Sequence, residues 1–158
     1  MIMSFVGCSA DAPEGMKAAS SENEAFYLYV PTTWTVNSSG GTASAYIVTD
    51  NSNVSMTCML MDEGLTTTEA YAAYAKAALA SVLKDYEDIG ETTETKLGGK
   101  PAVSFEYKAK SGETVFKWRQ TVTIKSDTFY ILTYTSTAEK FDSHLEELDK
   151  ITENVRFK

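Results

Sequence analysis

Residue types that build metal centres and covalent cross-links are scarce in this sequence. It has one histidine, His144, and two cysteines, Cys8 and Cys58, among 158 residues. A structural zinc site takes four cysteine or histidine ligands, and a disulfide framework takes several cysteine pairs. The sequence leaves almost no basis for either scaffold, and we expect neither a bound metal nor a cofactor.

Basic residues are also in short supply. The chain has 14 Lys and Arg against 22 Asp and Glu, which gives a formal net charge of −8. Binding to nucleic acid or to anionic lipid depends largely on basic side chains, so we expect no nucleic-acid partner and no electrostatic docking on a membrane. No stretch approaches the ~20 apolar residues that a spanning helix needs, so the only membrane attachment that we expect is a covalent lipid.

Apolar residues are present in the amount that a folded domain requires. They make up 43% of the chain, and aromatic residues make up 11%, which is enough for a hydrophobic core. A length of 158 residues is that of one ordinary domain. The sequence thus predicts a single acidic globular domain.

The first residues resemble the end of a bacterial lipoprotein signal peptide. Small residues precede a cysteine in Val6-Gly7-Cys8, as in a lipobox, although Phe5 stands where Leu is usual. In such proteins the cysteine is lipidated and becomes the first mature residue, which predicts a lipid anchor on Cys8. The basic and long apolar regions of a signal peptide do not precede it, so an incidental cysteine in a frayed tail stays an alternative.

The stretch after this cysteine has the composition of a linker. Residues 9–24 are rich in Ser, Ala and Glu and contain no aromatic residue. Such a segment buries too little apolar surface to offset the entropy lost on ordering. We therefore divide the chain into a signal-peptide remnant at 1–8, a flexible linker at 9–24 and one domain at 25–158.

Six segments have the β-branched and aromatic content of strands. Three precede a long helix, and three form a meander after Gly98-Gly99. The third strand alternates so that Cys58 shares a face with Val54 and Met56, and we expect a buried thiol. The predicted strands are 25–30, 44–49, 53–61, 101–109, 114–124 and 128–136.

Two helices are predicted from apolar residues at helical spacing. The first spans about 66–87, with Thr66 and Glu69 as a capping box, and the second spans about 138–154. Residues 155–157 alternate like a last short strand. The expected fold class is α+β, with a mainly antiparallel sheet on which both helices pack.

Alternation along the meander separates an apolar face from a polar one. Tyr107 shares the apolar face with Trp118, which we expect in the centre of the core. The polar face combines both charge signs with hydroxyl groups, which suits a small polar ligand or a protein partner better than a lipid tail. An alternative is a sheet face that is only solvated or is covered by a helix. The candidate binding residues on the polar face are Glu106, Lys117, Arg119, Thr121 and Thr133.

Several local motifs follow one another along this order of elements. An aromatic strand runs into Val30-Pro31 and Trp34, a Leu97-Gly98-Gly99-Lys100-Pro101-Ala102 turn opens the meander, and Phe141 begins the last helix. The last strand of the meander contains Tyr130-Ile131-Leu132-Thr133-Tyr134-Thr135. Together these features resemble the PsbP-like α/β/α sandwich, which photosystem II extrinsic proteins, Mog-type Ran-binding proteins and small bacterial lipoproteins share. The resemblance covers residues 25–158; it implies a non-enzymatic role and transfers no site residues.

Motifs of common enzymes are not found. The chain has no Gly-x-Ser-x-Gly elbow, and Gly98-Gly99-Lys100 precedes Pro101 instead of the Ser or Thr of a phosphate loop. His144 lies at the edge of an apolar stripe, where we expect a packing role and not a catalytic base. The acidic run at 85–88 does not complete a calcium loop and is interpreted as a solvated surface. We therefore predict no catalytic residue.

These features favour a non-enzymatic binding or protein-interaction module, located outside the cytoplasm and anchored to the bacterial cell membrane through Cys8. Two alternatives stay open. One is an envelope enzyme or small-molecule carrier with a cleft beside the sheet, and the other is a cytoplasmic interaction domain that starts at Met1. A deep pocket with converging polar groups would favour the enzyme or carrier.

Overall fold

The computed structural model describes residues 11–37 and 42–158. Cys8 and the predicted signal-peptide remnant at 1–8 lie outside these residues. The helices are α1 (Thr68–Val82), a 3-10 helix (Phe141–His144) and α2 (Leu145–Asn154). The strands are β1 (Met16–Ala18), β2 (Phe26–Tyr27), β3 (Tyr29–Pro31), β4 (Thr35–Asn37), β5 (Ala43–Tyr46), β6 (Asn53–Leu60), β7 (Lys84–Leu97), β8 (Lys100–Ser111), β9 (Thr114–Lys125), β10 (Thr128–Thr137) and β11 (Arg156–Phe157).

A seven-stranded antiparallel sheet is the centre of the fold. Its strand order is β4-β5-β6-β10-β9-β8-β7, and two small sheets join β1 to β3 and β11 to β2. Helix α1 packs on one face against β7, β8 and β9, while α2 packs on the other side of the sheet. This arrangement confirms the predicted α+β fold with an antiparallel sheet and two helices.

Each face of the sheet has its own hydrophobic core. On the α2 side, Trp34, Tyr134 and Phe141 are fully buried together with Ile151 of the helix. On the α1 side, Val103, Phe105, Tyr107 and Val122 pack with Ala72 and Ala75. The apolar face that alternation predicts on the meander is therefore the face under α1.

The first helix is shorter than the predicted 66–87. Its N-cap is Thr67, whose Oγ1 accepts a hydrogen bond from the backbone N–H of Ala70 at 3.1 Å. The helix ends at Val82, because Leu83 has an extended backbone and Asp85 a positive φ of 54°. Neither conformation continues a right-handed helix.

The residues after α1 form β7, which the sequence prediction missed. This strand is the last of the sheet on its side, and most of its side chains are exposed. Its pairing with β8 is interrupted between Ile89 and Thr93. A charged end strand with a bulge shows no alternation of apolar and polar residues, so its sequence carries no strand signal.

The predicted flexible linker at 9–24 is wrong in its second half. Residues Met16–Ala18 form β1, which pairs antiparallel with β3. Ala19 is buried in the core, and the Oγ of Ser20 accepts a hydrogen bond from the N–H of Leu28 at 3.0 Å. Short polar segments of this kind are ordered by backbone pairing, which composition does not reveal.

Three further predictions are corrected. Cys58 is exposed instead of buried, because β5 pairs with β6 only up to Met56 and leaves the end of β6 at the margin of the sheet. Trp118 is half-buried, stacked on Tyr107 at 5.2 Å between ring centroids. The last helix begins later than residue 138, with a 3-10 turn from Phe141.

Candidate functional site

The register of β8 and β9 brings four of the five predicted binding residues to one face. Glu106 lies directly opposite Arg119, while Lys117 and Thr121 lie two residues to either side of Arg119. Side chains two residues apart in a strand point to the same side of the sheet. Glu106, Lys117, Arg119 and Thr121 therefore share the face that carries α2.

Three of these side chains form a charged cluster. Arg119 Nε lies 2.8 Å from Glu106 Oε2, and Lys117 Nζ lies 3.4 Å from Glu106 Oε1. The side chains are 20% to 26% exposed, so water screens them only in part. We call Glu106, Lys117 and Arg119 the ionic cluster; two cations and one carboxylate give it a net charge of +1.

The ionic cluster rests on the ring of Phe141. Lys117 Nζ lies 4.2 Å and Arg119 Cζ 5.7 Å from the ring centroid. The carbonyl oxygen of Phe141 accepts a hydrogen bond from the Tyr134 hydroxyl at 2.9 Å, which holds the 3-10 helix against β10. Cations attract the face of an aromatic ring, so this contact restricts both long side chains.

Thr133 does not belong to this site. It pairs with Gln120 of β9, and Gln120 pairs with Phe105 of β8, so Thr133 lies on the α1 side of the sheet. The predicted strand was right, but Thr133 was assigned to the wrong side of the sheet. Only the pairing register between strands decides which of their residues share a face. Thr121 is on the correct face but is buried, with its Oγ1 3.5 Å from Ser104 Oγ.

A groove opens beside the ionic cluster. Its volume is about 450 Å³, and its walls are β7 between Ile89 and Thr95 and the side of the sheet with Ser104, Glu106 and Arg119. It exists because β7 advances four residues, from Ile89 to Thr93, while β8 moves only from Glu106 to Ser104. Alternation gives no strand signal for this wall, and Gly90, a glycine with positive φ, is the local signal of a bulge.

A second polar network lies nearer the start of α2. His144 Nε2 lies 2.7 Å from Asp50 Oδ2, and its Nδ1 lies 3.3 Å from Glu147 Oε1. Trp34 Nε1 donates to the other oxygen of Glu147 at 2.6 Å. Carboxylates contact both ring nitrogens of His144, which is only 15% exposed, so polar contacts hold the ring on both sides.

Asp50 is the residue of this network with a displaced pKa. Burial pushes the pKa of this carboxyl upward, but the hydrogen bonds from His144 and from the backbone of Ser52 outweigh burial and leave it below its usual value. The ionised form of Asp50 is thus the form that the fold stabilises.

Outside the ionic cluster and the His144 network, the acidic run forms ion pairs on the surface. Asp85 and Glu87 of the acidic run pair with Lys110 at 3.3 Å and Lys108 at 3.2 Å. Residues 11–37 and 42–158 contain no group of three or more His, Cys, Asp or Glu placed to hold a metal ion. Neither α1 nor α2 is long and apolar enough to cross a membrane.

Solved structures with the same fold come from a cyanobacterium, a mycobacterium and a yeast. Cyanobacterial PsbP (CyanoP) from Synechocystis sp. PCC 6803 has a TM-score of 0.64 and 13% identity, covering 98% of this chain and 99% of its own. LpqN of Mycobacterium tuberculosis has a TM-score of 0.63 and 14% identity, covering 84% of this chain and 83% of its own. The Ran-binding protein Mog1p of Saccharomyces cerevisiae has a TM-score of 0.61 and 8% identity, covering 90% of this chain and 95% of its own.

At these identities the structural likeness establishes the fold alone. Comparison with curated protein sequences finds no significant match. The sequence profile of the PsbP family matches residues 14–157, which is nearly the whole chain and includes β1. The chain therefore belongs to the PsbP family.

Proposed function

We propose that this protein is a non-enzymatic module that binds a protein partner through the groove beside β7. The observation that carries the proposal is the half-buried ionic cluster, which borders this groove through Glu106 and Arg119. Charged groups that are partly removed from water interact with a ligand more strongly than exposed ones. The groove can therefore discriminate between partners by their charge.

The charge distribution indicates what kind of segment fits. The ionic cluster has a net charge of +1, whereas Glu91 and Glu94 of β7 line the same groove. A polar segment with both a carboxylate and a cation matches this arrangement, and an acyl chain does not. Two proteins with the same fold support an interaction role: LpqN is involved in cell envelope biogenesis, and Mog1p is a Ran-binding protein.

We further propose that the module works outside the cytoplasm, anchored to the bacterial cell membrane by a lipid on Cys8. Support comes from the Val6-Gly7-Cys8 motif. The first strand of the described residues, β1, starts at Met16, eight positions after Cys8. A lipid on Cys8 would hold the domain close to the membrane surface, with a tether too short for a distant partner.

Site-specific cross-linking tests the proposed groove. A photo-reactive amino acid at Glu91, on the exposed rim of the groove, is compared with one at Glu113, in the turn between β8 and β9. In the cells that produce the protein, we expect a discrete cross-linked product only from position 91. Arg119→Gln should abolish it, whereas Lys150→Gln, on the exposed side of α2, should leave it unchanged. Equal products from both positions, or a product insensitive to Arg119→Gln, would contradict the proposal.

A small-molecule carrier is the second candidate, because a groove of about 450 Å³ falls in the range of small-ligand sites. Native mass spectrometry of the protein purified from its own cells distinguishes the two. A carrier retains a bound small molecule that Arg119→Gln releases. A protein-binding module gives the mass of the chain with any covalent lipid on Cys8 and no further bound molecule.

A further inference from the structure

Helix α1 covers only part of its side of the sheet. It packs on β7, β8 and β9 and reaches the start of β10, where Tyr71 contacts Phe129 at 5.2 Å between ring centroids. Beyond Ile131 the same side of the sheet continues across β10, β6 and β5 with polar residues. This is the side on which Thr133 lies.

The pairing register aligns these polar residues in two rows across four strands. Tyr46, Asn53, Thr135 and Trp118 lie directly opposite one another on β5, β6, β10 and β9. The second row, two residues along each strand, consists of Ser44, Ser55, Thr133 and Gln120. We call these eight residues the uncharged face.

The uncharged face differs from the rest of the protein in its charge. Asp, Glu, Lys and Arg make up 23% of the chain, which carries a net charge of −8, yet none of the eight residues is charged. All except Gln120 are half-buried, so they contact solvent. An ionic ligand would find no counter-charge here, and an acyl chain would bury hydroxyl groups without partners.

Most hydrogen-bonding groups of the uncharged face bond to no other protein group. In the part of the chain that the structure describes, the hydroxyls of Ser55, Thr133 and Thr135 form no hydrogen bond, and neither do those of Ser44 and Tyr46. Gln120 is only 8% exposed and donates to the Tyr107 hydroxyl at 3.1 Å, while its Oε1 accepts no hydrogen bond. Hydroxyl and amide groups both donate and accept, which is the chemistry that a polyhydroxylated ligand matches.

The shape of the uncharged face and its aromatic residues further restrict the class of ligand that fits. A cavity of about 460 Å³ at the β5 end is lined by Ser44, Tyr46, Asn51 and Asn53, among others. Tyr46 and Trp118 stand three strands apart, about 14 Å at the usual strand spacing. The first row has an aromatic ring at each end, which offers apolar surface to the C–H faces of sugar rings, and the Asn53 amide and the Thr135 hydroxyl between them offer hydrogen bonds.

We propose that the uncharged face binds a neutral polysaccharide, with sugar rings packed on Tyr46 and Trp118 and their hydroxyls bonded to the half-buried polar side chains between these two rings. The site is independent of the groove beside β7, because the two lie on opposite sides of the sheet. A neutral glycan of the cell surface would then be held on one side of the domain while the protein partner occupies the other.

Native affinity electrophoresis tests this site on the full chain. The gels contain dextran, β-glucan or galactomannan as neutral probes, and polygalacturonate as the anionic comparison. We expect at least one neutral polysaccharide to slow the wild-type protein and polygalacturonate to have no effect. The isosteric double variant Ser55→Ala/Thr133→Val removes two hydroxyls with little change in shape and should weaken binding about tenfold. Tyr46→Ala should weaken it by a similar factor.

Lys150→Gln, on the exposed side of α2 and therefore on the opposite side of the sheet, is the matched control and should bind like the wild type. Retardation by no neutral polysaccharide, or only by polygalacturonate, would overturn the proposal. So would retardation that Ser55→Ala/Thr133→Val and Tyr46→Ala leave unchanged while circular dichroism shows both variants folded. If position 91 gives no cross-linked product while the wild type still binds a neutral polysaccharide, only the proposed groove is rejected.

Discussion

Gly98 packs against the backbone of Val155 at a point where no side chain fits. A Cβ atom on Gly98 would overlap the carbonyl oxygen of Val155 and lie 2.9 Å from the ring of Phe157. The N–H of Gly98 also donates to the carbonyl oxygen of Thr152 at 2.9 Å. The turn between β7 and β8 thus docks on the end of α2, which joins the charged end strand to the core.

Gly98→Ala and Gly99→Ala form a matched pair of variants. Both glycines have positive φ, 58° and 78°, but nothing lies within 4 Å of a Cβ on Gly99. Both variants incur a conformational cost of about 1 kcal/mol. Gly98→Ala must also displace the chain at Val155, so we expect its unfolding free energy to fall by about 2–4 kcal/mol in total. Equal losses in urea denaturation would show that the two positions are equivalent.

The contact between Trp34 and Glu147 should contribute measurably to stability. Trp34 is fully buried, and its Nε1 donates to a carboxylate, a stronger bond than one between neutral groups. We expect Trp34→Phe to lower the unfolding free energy by about 2–4 kcal/mol, from the lost bond and the smaller ring. In a double-mutant cycle with Glu147→Ala, a coupling of about 1–2 kcal/mol is expected. A coupling near zero would mean that the bond makes no net contribution.

Asp50 should make stability depend on acid pH. Because its pKa is lower in the fold than the usual 3.8, its contribution is complete above that value and is lost as the pH falls through the folded pKa. Asp50→Asn should therefore cost about 1–3 kcal/mol at pH 6 and clearly less at pH 2.5. Asp149→Asn, on the exposed side of α2, should cost little at either pH. A cost of Asp50→Asn that does not change with pH would contradict the direction of this pKa shift.

The strand β1 should stabilise the domain. A chain that starts at residue 13 is compared with one that starts at residue 21, which lacks Met16–Ala18 and the buried Ala19. We expect the further deletion to lower Tm by roughly 4–8 °C, corresponding to about 2 kcal/mol at this chain length. Identical Tm values in differential scanning calorimetry would restore the original expectation of a linker.

Lipidation of Cys8 stays a prediction. The gene, with its natural upstream region, is expressed in a bacterial host that is fed labelled palmitate. We expect label in the wild type and none in Cys8→Ser, while Cys58→Ser, which removes the other cysteine, should remain labelled. Label that persists in Cys8→Ser, or that is absent from both, would refute the anchor.

Strands with strong alternation were predictable, and those without it were not. β8, β9 and β10 each bury one row of large apolar side chains, so their positions follow from the residues. β7 buries no such row, since it is the last strand on its side of the sheet and most of its side chains are exposed. β1 is only three residues long. Both are ordered by backbone pairing with a neighbour, which leaves almost no trace in composition.

The candidate site, too, was predictable only in part. The pair of Glu106 and Arg119 was expected, because two adjacent strands joined by a short turn have a nearly determined register. Thr133 was misplaced because its side of the sheet follows from its pairing with Gln120 of β9, which alternation within β10 alone does not show. The bulge in β7 that opens the groove lies on a strand that the sequence analysis did not recognise.

By itself, the sequence determined the α+β class, the meander, the two helices and the charged pair, because each arises from local periodicity and short turns. Tertiary structure alone decided where β7 and β1 lie, which side Thr133 occupies and which half of the sheet α1 leaves open. These features depend on backbone pairing and packing between segments, which periodicity within a single segment does not encode, and only the packed fold supplies them.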